Sequence, residues 1–193
     1  CFLALIVLLI HGESARQVIA QEAAVQNAAE AVESAHREIW RRFVDPHGIM
    51  LDFADLDGSV TYPTPEECRE GKPNAIGWWS PIENGAMFNG LYLDAAVNRW
   101  KRTGDEADRA KARRLVDGLL FLASRGSTPG FIARGVADDG VTTYPMGSND
   151  QTMPWLYGLW RYVRDGVPKN EDERRQLVKR FREIVELLEH HGW

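Results

Sequence analysis

Cysteine is scarce in this chain of 193 residues, which holds only Cys1 and Cys68. Two such residues set no disulfide framework, and no Cys/His spacing of the zinc-binding kind accompanies them. Basic charge is in the minority, with 23 Lys and Arg against 28 Asp and Glu and a net charge of -5. No basic stripe interleaves with aromatics, which argues against nucleic acid as the main partner. Long apolar runs are also lacking. The unbroken stretch at residues 2–10 (FLALIVLLI) falls well short of the ~20 residues that cross a bilayer. It fits the core of a signal peptide, and the small-residue pattern Val18-Ile19-Ala20 follows it. Residues 1–20 are therefore expected to be a signal peptide that lacks its charged leading region. The mature chain is expected to be secreted or periplasmic, without a stable membrane span. Removal of that segment would leave Cys68 alone, with no internal partner. Repeats of solenoid length and low-complexity tracts are absent from the rest.

What the chain does have is helical period. Five segments stand out. The first runs from about Glu22 to Phe43, with Val25, Val32, Ile39 and Phe43 on one stripe. The second, about Pro81 to Arg102, is apolar nearly all round and is expected to be enclosed on most sides. The third, Asp105 to about Ser124, returns to a single stripe of Ala112, Leu115, Val116, Leu119 and Leu122. The fourth, about Asp150 to Arg164, is again apolar on most sides, through Met153, Trp155, Leu156, Leu159 and Trp160. The fifth, Asn170 to about His190, sets Leu177, Phe181, Ile184 and Leu188 against a charged background. The order is outer, inner, outer, inner, outer. A four-helix bundle would show one stripe on every helix, whereas one ring of helices wrapped by another gives this alternation.

The connections follow the same rule. Thr103-Gly104 and Gly166 to Lys169 are short, while residues 44–80 and 125–149 are long. Loops of that length are uncommon unless they are functional. Because helices alternate in direction, both long loops should share one rim with the N-termini of the two inner helices. Short strands are expected at Gly130 to Arg134 and Val141 to Tyr144, on either side of the turn Asp138-Asp139-Gly140. An outer helix ends the sequence with no inner helix after it, which is the pattern of a fragment.

Two carboxylic acids fall on that rim, Glu83 and Asp150. Cleavage of a glycosidic or enol-ether bond needs a proton donor and a base that activates water, and such a pair supplies both. The same residues also have capping roles. Ser80-Pro81-Ile82-Glu83 reads as a capping box, and Asp150 as an N-cap. Seven tryptophans is many for this length, and Trp78 and Trp79 precede the inner helix as flat apolar platforms for a sugar ring. The planar fork of Arg134 suits a uronate carboxylate. Tyr144, Asn149 and Gln151 flank Asp150 as candidate hydroxyl contacts. Asp52, Asp55 and Asp57 bear a slight likeness to a calcium loop, but no metal or cofactor is expected.

Residues 78–94 (WWSPIENGAMFNGLYLD) and 148–162 (SNDQTMPWLYGLWRY) resemble inner-helix starts of six-hairpin (α/α)6 glycosidases, and RTGDE at 102–106 resembles their inner-to-outer turn. The nearest comparison is with unsaturated glucuronyl and rhamnogalacturonyl hydrolases. The resemblance covers residues 30–193, about half of such a domain. It implies an all-α fold, a partial (α/α)6 toroid, in which acids at inner-helix N-termini carry the reaction. Asp150 matches the acid heading the second inner helix, and Glu83 stands where the other would come from. The family pattern has Asp at the first position and His before the second, where this chain has Glu83 and Asn149. The implied function is hydrolysis of glycosidic linkages in oligo- or polysaccharides. A polysaccharide lyase using Tyr144 and Arg134, and a non-catalytic glycan-binding toroid, stand as alternatives. A toroid acting on a non-sugar is a further one, since fold does not fix function.

Overall fold

The computed structural model describes residues 21, 24–71, 80–126, 128 and 130–192. Among them there are six helices and no strand, so the fold is all-α as expected. The signal-peptide expectation for residues 1–20, and Trp78 and Trp79, lie outside the described residues.

The chain divides into two units, one ending at Arg41 and the other starting at Arg42. Helix α1, residues 24–42, accounts for nearly all of the described part of the first. Of its expected apolar stripe, Val25 and Val32 are 63% and 60% exposed, whereas Ile39 and Phe43 are half-buried.

The second unit carries α2 (Pro65–Arg69), α3 (Gly85–Thr103), α4 (Glu106–Leu122), α5 (Asn149–Arg164) and α6 (Glu171–His190). Helix α2 falls inside a segment read from sequence as loop. Its cause is local: Thr64 and Glu67 form a reciprocal capping box, with Pro65 at the first turn. Helix α3 packs most extensively on α5 and α4, and α5 meets α6 and α4 more lightly.

Two short links reverse the chain. After α3, Gly104 takes a left-handed φ of 66°, which only glycine adopts without strain. Asp105 then caps α4 by accepting from the Ala107 amide at 2.8 Å. After α5, Asn170 caps α6 through the Glu173 amide at 2.9 Å.

The core between α3, α4 and α5 is built from Leu93, Val97, Leu115, Leu119, Trp155 and Leu159, all buried. The indole of Trp155 donates to the Leu119 carbonyl at 2.7 Å, which ties α5 to α4. Asn89 is fully buried in α3. It accepts from the Met50 amide at 2.6 Å and donates to the carbonyls of Gly48 and Leu115 at 2.8 and 3.0 Å, so it satisfies backbone groups of two other segments. Helices α3 and α5 touch through backbone. A Cβ on Gly90 would lie 2.0 Å from the Pro154 carbonyl oxygen, and one on Gly158 would lie 2.8 Å from the Gly90 Cα.

Helices α3 and α5 are buried or half-buried on most sides, and each keeps one exposed stripe. Leu91, Met153, Tyr157 and Trp160 are exposed. Apolar residues all round a helix record a capacity for burial, and the neighbours decide which faces are used. The expected strands at 130–134 and 141–144 are absent among the described residues. The turn between them is present. Ala137 N–H donates to the Thr142 carbonyl at 2.8 Å, and the Asp139 carboxylate accepts from the Val141 and Thr142 amides and the Thr142 hydroxyl. That aspartate and the backbone bond close the turn together, and no ladder extends from it among the described residues.

Candidate functional site at the N-terminal ends of α3 and α5

The two helix starts lie side by side. Gln151, in the first turn of α5, donates through Nε2 to the Glu83 carbonyl at 3.4 Å and to Asn84 Oδ1 at 3.3 Å. Its Oε1 accepts from the Met87 amide at 3.3 Å. The leading ends of α3 and α5 thus occupy one end of the unit, and the long segments 43–84 and 123–148 meet there.

Helix α3 begins at Gly85, four residues after the expected start. Residues 81–84 form turns instead, so Glu83 sits ahead of the helix rather than in its first turn. Only part of the expected capping box survives: the Ser80 amide donates to the Glu83 carboxylate, and the Ser80 hydroxyl accepts from the Ile82 amide at 3.4 Å. Asn84 holds the N-cap position but makes no side-chain bond to its own helix. Its amide donates to Asp52 Oδ1 at 2.6 Å, and its backbone N–H donates to Asp52 Oδ2 at 2.9 Å.

Glu83 is half-buried, and its Oε1 is shielded from solvent with no hydrogen-bond partner among the described residues. Burial, and then the nearby Asp52 charge, hold its carboxyl above the usual range, against the opposing pull of the Ser80 amide and Arg134. Burial also raises Asp52, opposed by its bonds to Asn84. The two acids interact electrostatically. Asp52 has several donors and Glu83 has few, so Asp52 is the member better able to keep its charge.

The other expected site residues divide by burial. Asp150 and Asn149 are exposed in the first turn of α5. The N-cap there is Ser148, not Asp150. Ser148 makes no side-chain cap bond, and its hydroxyl oxygen is buried without a partner among the described residues. Gln151 and Tyr144, expected as substrate contacts, are buried and hydrogen-bonded within the fold. Gln151 is fully buried and engaged at both ends of its amide. Tyr144 is 2% exposed and donates to the Ser80 hydroxyl at 2.8 Å. Burial pushes its phenol up to about 12, which is unsuited to a base. Arg134 lies between these groups, with Nη1 on the Glu83 carbonyl at 3.1 Å and Nε on the Met146 carbonyl at 3.3 Å.

No family model and no curated protein matches the chain.

Sequence reasoning missed Asp52 as a neighbour of Glu83. It saw the LDFADLDG stretch as a slight likeness to a metal loop, yet the three aspartates divide between two partners. Asp52 binds Asn84, while Asp55 and Asp57 hold Ser59 through its hydroxyl and amide. Among the described residues, no group of three His, Cys, Asp or Glu could hold a metal ion. Cys68 is a free, buried thiol in a small core with Leu51, Ile82, Ala137 and Tyr144 beneath the site.

Proposed function

We propose that this chain is part of a glycoside hydrolase of the six-hairpin (α/α) toroid type, acting on oligo- or polysaccharides outside the cytoplasm. The observation that carries the reading is the state of Glu83. A half-buried carboxyl with a raised proton affinity and an unpartnered oxygen, at the shared end of two helices, is equipped to donate a proton. The adjacency of the two helix starts supports the toroid reading, because neighbouring inner helices of such a ring begin on the same rim. In the reaction, Glu83 gives its proton to the leaving glycosidic oxygen. Water adds its hydroxide to the sugar carbon, and its remaining proton goes to a base. Asp150 takes that role. It is exposed to water in the first turn of α5.

The test is turnover of a panel of saturated and unsaturated oligosaccharides, followed by release of reducing ends. Glu83→Gln should reduce turnover by about 10²–10⁴-fold, the usual contribution of a positioned proton donor. Asp150→Asn should also reduce it. Unchanged turnover in Glu83→Gln, or no turnover of any oligosaccharide by the complete protein, would remove the hydrolase reading.

A further inference from the structure

The turn that carries Glu83 is gripped at both ends by one residue. Asp52 N–H donates to the Pro81 carbonyl at 2.9 Å, and its carboxylate accepts from the Asn84 amide and side chain at 2.9 and 2.6 Å. Asn is among the best N-cap residues because its side chain usually satisfies an amide of its own helix. Here that service comes from elsewhere, since Gln151 accepts from Met87 N–H. Asn84 is free to link Asp52 to Gln151, donating to one and accepting from the other. The Glu83 carbonyl is held from the far side by Arg134 and Gln151. The backbone at residue 83 is thus fixed from three segments, while its carboxyl keeps a buried oxygen without a partner.

We propose that Asp52 is a positioning residue of this site, closing the Pro81–Asn84 turn so that Glu83 is presented at a fixed place beside a second carboxyl group. The inference rests on the hydrolase reading only for its catalytic meaning. The titratable and charged groups facing Glu83 are Asp52 from the segment before α2, and Arg134 and Tyr144 from the segment before α5. Of these, Asp52 alone favours the protonated carboxyl by its charge at neutral pH, and the Arg134 guanidinium opposes it.

The experiment is a carbon-13 NMR titration of the side-chain carboxyls in the full chain, on the wild type and Asp52→Asn. Asn keeps an oxygen for Asn84 and removes the charge. In the wild type, Glu83 should titrate above its usual range, in a curve that also registers the ionisation of Asp52. In Asp52→Asn its midpoint should fall by on the order of one pH unit. A Glu83 curve with the same midpoint in both proteins would overturn the proposal. So would a single-step wild-type curve at the ordinary glutamate value of about 4.3, a measurement that needs no variant to fold. On a substrate that is turned over, the alkaline limb of kcat/KM should move down with the Glu83 midpoint, with KM little changed. The two readings fail separately. Lost coupling in the titration leaves any effect of Glu83→Gln on turnover standing, and absent turnover leaves the coupling standing.

Discussion

The two ends of α3 treat their carboxylates in opposite ways. At the C-terminal end, Asp108 is nearly buried, yet it accepts from Arg99 at 2.8 Å and from the Thr103 hydroxyl at 2.9 Å. Burial alone would raise it, but those two bonds hold it below the usual range. Glu173, near the start of α6, is treated alike. Burial is outweighed by the Lys169 amide at 2.7 Å, Arg113 at 2.5 Å and the Tyr162 hydroxyl at 3.1 Å. At the N-terminal end, Asp52 and Glu83 are both raised, and one oxygen of Glu83 has no partner. A partly buried acid is satisfied where a link merely turns the chain, and left short of donors where the long segments converge. Side chains of the same chemistry are thus fully bonded at one end and incompletely bonded at the other.

The sharpest way to break this contrast is to remove what keeps the two ends in register. Gly90→Val would drive a side chain into the Pro154 carbonyl of α5. A loss of at least about 3 kcal/mol in urea unfolding is expected, since backbone on a packed helix cannot yield as a flexible side chain does. Next in size is Asp108→Asn, expected to destabilise by about 2 kcal/mol at pH 7 by weakening a charge-assisted bond and leaving Arg99 without its counter-charge. Because the folded-state pKa of Asp108 is lowered, its stabilisation is fully present above the unfolded value. It is lost as pH falls through the folded value, so the gap between variant and wild type should close in acid. The smallest effect has the opposite sign. The pKa of Glu83 is raised, so its ionisation weakens the fold as pH rises from the unfolded value through the folded one. Glu83→Gln should therefore melt slightly higher than wild type at pH 7 and level with it at pH 3. A lower melting point at pH 7 would show that Glu83 stabilises the fold as Asp108 does.

Much of this was legible in sequence. The periods of α3 to α6 placed those helices to within a few residues, because an amphipathic stripe and a Gly-Asp turn are local signals. Capping residues were misassigned where two candidates stood together. Ser148 rather than Asp150 caps α5, and the first four residues of the expected second helix form turns around Asp52. Asp52 was not legible as a site residue, because it and Glu83 are 31 positions apart and meet only once Asn84 is bonded to it. Nor did the apolar composition of Tyr144 and the amide of Gln151 announce that both would be buried. Their partners, Ser80 and Met87, come from a segment that local periodicity cannot bring near. Thr64-Pro65-Glu66-Glu67 did carry a readable signal for α2, a capping box with proline at the first turn.

The bond from Met87 to Gln151 has a consequence for assembly. Asn84, which would ordinarily hold the opening turn of α3, is engaged elsewhere, so that turn depends on a residue 64 positions downstream. The α3–α4 hairpin can zip up from its Gly104 end on local contacts, but its opposite end stays frayed until α5 arrives. Hydrogen exchange should find the Met87 amide among the last to gain protection during refolding. The end that carries Glu83 is finished after the Gly104 turn.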